Sequence, residues 1–397
     1  MNYETDIPGF EVALPDEEKV ADLVSARGLA PLTARILVSR GIDTAEAVDR
    51  FFSPSLERDW LDPALIPGLV EVADAVEAAI RAGKRILVFG DFDVDGVSAA
   101  TVGVRGLRAL GADVVGLIPH RYEEGYALTE KAVARARTYD PDLIVTVDCG
   151  ISCADEVAKM LDEGLEVCIT DHHEPGAHVP QGVPVADPKL DADCPSRDLA
   201  GVGVALKLVC LLCSRFGKPD LWRGLTDFAT LGTIADLMSL SPENRALVAD
   251  GIARINNDPR MCFLALSGIC GNDPSTLTST DLSFSFIPRL NAAGRMGDAT
   301  LAYRLLTSDD RQECEDLAAR LDEVNSERRA AEANLDELVE EQLSQTYHGQ
   351  AAIVAAGEGW HEGVKGIVAS RIARRYKRPT IIFTIQDGVA RGSGRSY

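Results

Sequence analysis

RILVFGDFDVDG, at residues 85–96, decides the fold, because an apolar run ends there in glycine and then a cluster of aspartates. Comparable short runs follow as VVGLIPH, LIVTVD and LEVCIT, and segments long enough for a helix separate them. Parallel strands need such long crossovers, since neighbouring strands run in the same direction. Residues 85–190 are therefore predicted to form an α/β unit built on a doubly wound, mainly parallel sheet.

The segments on either side predict helices and a second unit. Before residue 85, amphipathic helical patterns alternate with glycine and proline breaks, which indicates a helical lead-in. Residues 199–255 are typical of buried helices, and residues 309–345 of one long amphipathic connector helix. The strand-like runs AAIVAAG and TIIFTI begin a second α/β domain, which is expected to be incomplete because two strands and a helix bury too little surface. The predicted domains are 1–80, 81–305, 306–346 and 347–397.

The length and composition of the chain limit the classes of protein to which it can belong. With 397 residues, of which 46% are hydrophobic and 26% charged, the chain is long enough for more than one core and is typical of a globular protein. Nine cysteines, an odd number without a framework of pairs, indicate reduced thiols. The first residues do not resemble a signal peptide and no apolar run reaches the length of a membrane span, so a cytoplasmic protein without membrane contact is expected.

The net charge of −22 argues against a surface that is basic throughout, which is the usual footprint of a nucleic-acid-binding protein. An acidic average nevertheless permits a local basic groove. Clustered carboxylates can also bind cations that in turn bind phosphate. The charge therefore lowers the expectation of a nucleic-acid substrate without excluding it.

Three aspartates follow the first strand in alternation, at Asp91, Asp93 and Asp95. Alternate residues of an extended segment share a face, so all three carboxylates are expected to point toward one spot. Carboxylates crowded in this way repel unless cations neutralise them, which predicts a metal site. An EF-hand loop does not fit, because a strand precedes the motif and valine stands at the twelfth position. A polar turn between strand and helix remains the alternative for this segment alone.

Two later strands end in further candidate ligands. Asp148 ends the run LIVTVD, and Asp171, His172 and His173 follow LEVCIT. Ligands of open parallel sheets bind outside the carboxyl ends of the strands, so these side chains are expected to meet the first motif in one crevice. A single aspartate or histidine at a strand end is more often a helix cap or an ordinary hydrogen-bonding group, but three converging sites favour a metal. Carboxylate and imidazole ligands together suit Mn²⁺ or a similar divalent ion.

GDFDVDG, VDCG and DHH occur in the order and spacing of the first three motifs of the DHH phosphoesterase superfamily, which the chain resembles over residues 30–397. FATLGTIADLMSLSPENR, at residues 228–245, is similar to the fourth motif of RecJ-type nucleases. Three further segments resemble the RecJ branch: ADPK with LAGVGVA, IPRLNAAGRMGDA, and GWHEGVKGIVASRIA leading to ARGSGRS. The resemblance implies a DHH catalytic domain followed by a second, phosphate-binding domain.

The resemblance also implies the composition of the catalytic site. Two divalent ions, Mn²⁺ or Mg²⁺, would share Asp148, lower the pKa of a bridging water and stabilise in-line attack on phosphorus. His172 and Asp227, which precedes the fourth motif, would complete the ligand set. His173 is either a ligand or a donor to the substrate phosphate. The candidate catalytic residues are Asp148, His172 and His173, and the candidate metal ligands are Asp91, Asp93, Asp95, Asp148, His172 and Asp227.

The segment RLNAAGRM is the first candidate for holding substrate phosphate. Arg289, Asn291 and Arg295 are expected on a short loop that contains glycine. Arginine suits this role because its guanidinium can bind a phosphate through two parallel hydrogen bonds. A structural salt bridge is the alternative for each of the two arginines.

A second candidate anchor lies near residue 395. GSGRS, at residues 392–396, resembles the phosphate-holding turn of the family, in which glycine lets the backbone approach the anion. A glycine- and serine-rich stretch is otherwise a linker, which is the alternative here. The resemblance implies that a catalytic domain and an anchor domain joined by a stiff helix form a groove that accepts one strand and excludes duplex by its width. The candidate donors are Ser393, Arg395, Ser396 and, from GWHEGV, His361.

The resemblance implies a 5′→3′ exonuclease that acts on single-stranded DNA and releases 5′-mononucleotides in recombination and repair. The substrate would be a strand with a 5′ end, and a helicase or a single-strand-binding protein is an implied partner. One alternative is a DHH phosphoesterase for small substrates such as oligoribonucleotides, cyclic dinucleotides or nucleoside bisphosphates. Another is a scaffold without catalytic activity, against which the intact acidic and histidine positions argue.

Overall fold

The computed structural model describes residues 2–4 and 12–397, with side chains from residue 14 onward. Two short strands, β1 (Asn2–Glu4) and β2 (Val12–Leu14), pair in antiparallel orientation, and the predicted lead-in therefore contains strand as well as helix. No helix within these ranges is both long and apolar enough to cross a membrane. All nine cysteines are free, in agreement with the prediction of reduced thiols.

Four helices follow, and the first three share a small core of their own. They are α1 (Glu17–Arg27), α2 (Pro31–Ser39), α3 (Ala45–Phe52) and α4 (Leu56–Asp59). The Asp16 carboxylate accepts the backbone N–H of Glu18 at 3.0 Å and begins α1, while proline begins α2 at a position where no helical hydrogen bond is lost. The core is formed by Val20, Leu23, Ala34, Leu37 and Val48.

The central sheet contains five strands, all parallel. They are β3 (Arg85–Phe89), β4 (Asp113–Leu117), β5 (Leu143–Val147), β6 (Glu166–Thr170) and β7 (Val185–Ala186). Their spatial order is β4-β3-β5-β6-β7, and the crossovers are α6 (Val94–Ala109), α7 (Glu130–Arg137) and α8 (Ala154–Asp162). From β3 the chain first forms β4 on one side of it and then crosses back to form β5 on the other side. The strand order therefore reverses between β3 and β5, which is the place where open α/β sheets bind their ligands. The doubly wound α/β prediction is confirmed.

Both faces of this sheet are covered by helices. Ile86 and Val88 of β3 pack into the main core with α5 (Leu69–Arg81), α6 and α9 (Gly201–Arg215). The alternate residues Leu87 and Phe89 pack into a second core with α7 and α8. A strand that is buried on both faces needs apolar side chains at successive positions, which explains the continuous run in RILVF.

Helices also complete the main core after α9. They are α10 (Thr226–Ala235), α11 (Pro242–Asn257), α12 (Met261–Cys270), α13 (Ser279–Asp281), α14 (Ile287–Met296) and α15 (Thr300–Thr307), with a π-helical turn between α13 and α14. Phe228 and Phe263 stack with ring centroids 6.0 Å apart, and Phe286 lies 6.5 Å from Phe263. Each buried phenyl group stabilises the fold by about 1.5–3 kcal/mol relative to an exposed one.

The prediction that RLNAAGRM forms a loop is wrong. The segment lies in α14, which has proline in its first turn, where a helix tolerates it. Leu290 and Ala293 are buried three residues apart, a spacing that puts both on one face of a helix. Burial of that face against the main core outweighs the low helix propensity of Gly294.

The connector is α16 (Arg311–Thr346), a helix of 36 residues that spans about 54 Å at 1.5 Å per residue. The Asp310 carboxylate accepts the backbone N–H of Glu313 at 2.8 Å and caps its first turn. Cys314 and Leu321 belong to the main core, whereas Leu335 and Leu343 belong to a separate core beyond it. The long amphipathic helix predicted from the sequence is present and packs on two cores in succession.

The separate core lies under a three-stranded sheet. Its elements are β8 (Ile353–Glu358), α17 (Lys365–Tyr376), β9 (Thr380–Gln386) and β10 (Val389–Arg395). The order is β10-β9-β8, with β8 and β9 parallel and β9 and β10 antiparallel. The sequence predicted two strands here and interpreted GSGRS as a turn, but residues 392–395 of that motif lie in β10, and the turn is Asp387–Gly388, where both residues have positive φ.

Candidate metal centre

The first motif does not form the extended segment that was predicted. Strand β3 ends at Phe89, and Asp93 is the N-cap of α6. Its carboxylate accepts the backbone N–H groups of Asp95 at 2.9 Å and Gly96 at 3.1 Å. Asp91 therefore lies in the strand-to-helix connection and Asp95 in the first helical turn. The carboxylates converge because the chain turns sharply, and the argument from strand alternation was wrong.

The structure brings the three predicted strand ends together. One oxygen each of Asp91, Asp93 and Asp148 lie within 4.8 Å of one another. Ligand atoms of Asp95, His172 and Asp236 form a second group within the same distance limit. We call these six residues the metal centre. Asp148 also shares a third such group with His172 and His173.

His172 joins the two halves of the metal centre. Its Nε2 lies 3.1 Å from Asp148 Oδ1, 3.6 Å from Asp95 Oδ2 and 3.7 Å from Asp236 Oδ2. Burial and the nearby charge of His173 lower the pKa of His172 to about 4. The imidazole is therefore neutral at physiological pH, and its Nε2 lone pair is available to a cation.

The protein does not compensate the negative charge that the carboxylates of the metal centre carry when they are ionised. Burial and then the charge of Asp93 raise the pKa of Asp91 to about 8, and burial raises the pKa of Asp148 well above its usual range. Among the described side chains, no lysine or arginine forms a salt bridge with Asp91, Asp95 or Asp148. Asp148 Oδ1 is buried without a hydrogen-bond partner. Divalent cations supply the missing positive charge, so the donor set fits them.

Neighbouring backbone holds these carboxylates in place. Both oxygens of Asp95 accept N–H groups at the start of α9, from Gly201 at 2.7 Å and Val202 at 3.0 Å. Asp148 has a φ of 62°, a left-handed conformation that costs a non-glycine residue about 1–2 kcal/mol. A Cβ atom on Gly201 would lie 2.3 Å from Asp148 Oδ1. Glycine at 201 is therefore required for the approach of α9 to the metal centre.

His173 is oriented by a carboxylate beneath it. Asp171 Oδ1 lies 2.7 Å from His173 Nδ1, and this hydrogen bond raises the pKa of His173 to about 9. Asp171 also accepts the backbone N–H groups of His172 at 2.7 Å and Ile151 at 2.9 Å. Its own pKa is lowered, because those bonds and the charge of His173 outweigh the effect of burial. His173 is thus a half-exposed cation at neutral pH, beside the metal centre.

Asp227 does not join the metal centre, which contradicts its predicted role as a ligand. It lies in the first turn of α10, and its carboxylate forms a salt bridge with Arg260 at 2.6 Å. The fourth motif contributes Asp236 instead, the residue that ends the same helix. Nine residues of helix separate the two by about 13.5 Å along the axis. The sequence analysis quoted both aspartates, and they are distinguished by the position of the helix end and by the salt bridge between Asp227 and Arg260.

The three candidates on α14 have different surroundings. Arg289 forms a salt bridge with Asp322 at 2.8 Å and donates to the Ser285 carbonyl, so the structural alternative applies to it. Asn291 Oδ1 accepts the backbone N–H of Val94 at 3.1 Å and thereby supports the first motif. Arg295 is half-buried, and burial together with the charge of Arg121 lowers its pKa.

Ser393 and Arg395 lie on one face of β10, against the first turn of α17. A Cβ atom on Gly366 would lie 3.0 Å from both Ser393 Oγ and the Arg395 guanidinium. Arg395 Nη1 also donates to Ser393 Oγ at 3.1 Å. Ser396 follows the strand and is exposed. These donors and the N-terminal turn of a helix are a candidate site for a phosphate group, and we call Gly366, Ser393 and Arg395 the phosphate anchor.

His361 lies where the second unit meets the catalytic sheet. Its ring centroid is 6.3 Å from that of Tyr122, which follows β4. Tyr122 donates its hydroxyl to the Arg295 carbonyl, and a Cβ atom on Gly363 would lie 1.9 Å from that carbonyl oxygen. A cleft of about 630 Å³ opens beside this contact. His361 therefore borders a cleft that is lined mainly by the second unit, including Arg391, and by Tyr122 of the first.

The comparison with known proteins agrees with this geometry. Residues 85–233 match the N-terminal domain of the DHH family. The single-stranded-DNA-specific exonuclease RecJ of Bacillus subtilis (strain 168) is 39% identical over 390 residues, which are 98% of this chain and 49% of that protein. RecJ of Dickeya dadantii (strain 3937) is 36% identical over 430 residues, with 100% and 70% coverage.

The chain belongs to the RecJ family. A crystal structure of RecJ from Thermus thermophilus in complex with Mn²⁺ superimposes with a TM-score of 0.83 at 35% identity. The match covers 97% of this chain and 55% of that one. The chain thus spans about half the length of the Bacillus and Thermus RecJ proteins.

Sequence reasoning missed two residues of this RecJ-family site besides Asp236. Asp171 was seen as the first residue of DHH, but its role in orienting His173 depends on side-chain hydrogen bonds. Arg121 lies after β4, with its guanidinium 4.7 Å from the centroid of the Phe92 ring. The sequence could have indicated Arg121 only by its position, because it follows the carboxyl end of a strand in the sheet that carries the metal centre.

Proposed function

We propose that this chain hydrolyses single-stranded DNA from the 5′ end and releases 5′-mononucleotides, with Mn²⁺ or Mg²⁺ bound at the metal centre. The observation that carries the proposal is the cluster of mostly buried carboxylates around His172, with which no lysine or arginine among the described side chains forms a salt bridge. Membership of the RecJ family supports the choice of substrate. The −22 net charge is compatible with it, because bound cations and a local set of arginines meet the phosphates.

The proposed ligands fall into two sets that share Asp148. Asp91 and Asp93 form one set with Asp148, and Asp95 and Asp236 form the other with His172. Asp148 is proposed to belong to the second set as well, because its Oδ1 lies 3.1 Å from His172 Nε2. Divalent ions bound here would lower the pKa of a water molecule and polarise the scissile phosphate. Asp227 is removed from the set because Arg260 neutralises it.

His173 is proposed to donate a hydrogen bond to the reacting phosphate. Asp171 holds its Nδ1, which leaves Nε2 as the donor directed away from that carboxylate. The raised pKa of about 9 keeps the ring protonated at neutral pH. A protonated imidazole next to the metal centre can stabilise negative charge on phosphate oxygens and release a proton to a leaving oxygen.

The phosphate anchor is proposed to hold a phosphate group of the same strand. The N–H groups of the first turn of α17, Ser393 Oγ and the Arg395 guanidinium are suitable donors. Arg121, whose charge acts on Asp91 of the metal centre and on Lys365 at the start of α17, and the neighbouring Arg295 supply further positive charge. The division into a lead-in, a catalytic domain, a connector and an anchor domain, at the boundaries predicted from the sequence, is part of this proposal.

The test is digestion of a 5′-phosphorylated, 3′-labelled single-stranded oligonucleotide with Mn²⁺ or Mg²⁺, beside duplex DNA and RNA of the same sequence. We expect metal-dependent shortening from the 5′ end that Asp148→Ala abolishes and that Asp258→Ala, a surface carboxylate variant, retains. Hydrolysis of short oligonucleotides or nucleoside bisphosphates without shortening of the long strand would contradict the proposal and favour a small-substrate phosphoesterase.

A partner is also proposed, on the support of family membership alone. A single-strand-binding protein or a helicase would present the unpaired strand that the metal centre requires. Addition of a single-strand-binding protein to the digestion should raise the rate on a strand with internal secondary structure. An unchanged or lower rate on that strand, together with no co-sedimentation of the two proteins, would count against this partner.

A further inference from the structure

Leu237 has a conformation and an exposure that are both unfavourable for a leucine. It follows Asp236 of the metal centre directly, and its φ is 55°. Its side chain is 88% exposed. Among the non-glycine residues with positive φ in the described ranges, it is the one exposed residue with an apolar side chain; Asp140 and Asp387, for example, are polar.

The local structure does not require leucine at this position. Helix α10 ends in a Schellman motif, in which Met238 N–H donates to the Thr233 carbonyl at 3.3 Å and Leu237 N–H to the Ile234 carbonyl at 3.2 Å. The residue after the cap in this motif is usually glycine, because a Cβ atom disfavours the left-handed conformation. The apolar contact that often accompanies the motif is available to Met238, which packs against the main core.

We propose that the Leu237 side chain contacts the sugar or base of the nucleotide whose phosphate lies at the metal centre, an inference that rests on the proposed function. Asp236 Oδ2 lies 3.7 Å from His172 Nε2, and the Leu237 Cα is one peptide unit, about 3.8 Å, from that of Asp236. The metal centre offers only charged and polar groups to a phosphate. An exposed apolar side chain at the edge of the metal centre can pack against the non-polar faces of a sugar or base. Burial of its apolar surface on binding would favour the complex.

The experiment compares Leu237→Gly, Leu237→Ala and Leu237→Met with Leu32→Ala, which removes a leucine that is 70% exposed on α2. Leu237→Gly removes both the side chain and the conformational strain, so its melting temperature should be equal to or higher than that of the parent. Its dissociation constant for single-stranded DNA, measured with Ca²⁺ in place of a catalytic metal, should rise roughly tenfold, the equivalent of burying one leucine. Leu237→Met should retain binding, and Leu32→Ala should match the parent.

Two further measurements separate direct contact from other roles. The slope of log K against log salt should be the same for Leu237→Gly and the parent, because an apolar contact releases no counterions. The Mn²⁺ affinity of Leu237→Gly, measured without DNA, should also be unchanged; a weaker affinity would overturn the contact, since Leu237 would then act by positioning Asp236. A parent that shortens DNA while Leu237→Gly binds and cleaves equally well overturns the contact alone. A parent that does not shorten DNA overturns the proposed function and this inference with it.

Discussion

The two ends of α10 carry aspartates with opposite surroundings. Asp227, in the first turn, is buried beside Arg260, which forms a salt bridge with it at 2.6 Å. Asp236, at the other end, lies beside Asp95 and His172, and no arginine or lysine among the described side chains forms a salt bridge with it. Burial and the charge of Asp93 raise the pKa of Asp236 to about 6. A buried carboxylate with its own cation serves the fold, whereas one that lacks a cation is available to a metal ion.

Asp236→Asn should have the larger effect on activity. The substitution removes a proposed ligand charge while preserving the shape of the side chain. Polarisation by a bound metal contributes several kcal/mol to the transition state, so we expect kcat to fall roughly a thousandfold. The measurement is single-stranded DNA digestion at saturating Mn²⁺, with the melting temperature recorded in parallel and expected to change little.

Asp227→Asn is the matched variant, from the same helix, and the opposite pattern is expected. It leaves the Arg260 guanidinium without its buried partner, and breaking such a pair typically costs about 3–5 kcal/mol of stability. The free energy of unfolding from urea denaturation should therefore drop, while kcat per folded molecule stays close to that of the parent. A thousandfold loss of kcat in Asp227→Asn, with stability intact, would reverse the assignment of the two aspartates.

The sequence predicted that the side chains at the strand ends converge, and the structure brings them together. Asp91, Asp148 and His172 each follow an apolar run, and parallel strands end at one edge of a sheet whatever the details of packing. Choosing between Asp227 and Asp236 required the end of α10 and the position of Arg260, the N-cap residue of α12. Contacts between elements that are far apart in the chain are not visible in local patterns.

The same limit explains the errors outside the metal centre. GSGRS contains two glycines, which favour turns, yet pairing with β9 keeps the segment extended as far as residue 395. RLNAAGRM also contains glycine, and burial of Leu290 and Ala293 makes it a helix. In both cases tertiary packing overrides a local preference of about 1 kcal/mol.

Metal binding at the metal centre, which includes Asp236, should stabilise the folded protein. Mn²⁺ at about 100 times its dissociation constant should raise the free energy of unfolding by about 2.7 kcal/mol relative to the protein in EDTA. The metal-free protein should also lose stability as pH rises from about 6.5 to about 8. Its folded state retains protons on Asp91, with a pKa of about 8, and on His173, with a pKa of about 9, which the unfolded chain has already released.

The sign follows from proton counting, since stability falls with pH wherever the folded state binds more protons than the unfolded one. Bound Mn²⁺ would keep the Asp91 carboxylate ionised, so the slope between about pH 6.5 and about pH 8 should be shallower in Mn²⁺ than in EDTA. Urea denaturation at several pH values across this range checks this. Equal slopes in the two conditions would mean that the metal does not bind at Asp91.

The smallest effects are expected for Arg289 and Arg395, both of which the sequence analysis gave as candidates for binding phosphate. Arg395 lies beside Gly366 and Ser393 in the phosphate anchor, whereas Arg289 is already paired with Asp322. Arg395→Gln should raise the KM for 5′-phosphorylated DNA by up to roughly fivefold, the limit usually seen for one exposed charged contact, and leave kcat unchanged. Arg289→Gln should leave KM unchanged and lower the melting temperature slightly. If the phosphate anchor holds the terminal phosphate, the difference in KM between the two variants should be smaller on a strand with a 5′-hydroxyl. If the anchor holds an internal phosphate, the difference in KM should remain. Either result supports the difference between Arg289, which has a salt-bridge partner, and Arg395, which has none among the described side chains. Asp227 and Asp236 differ in the same way. An equal rise in KM for both arginine variants would contradict this difference.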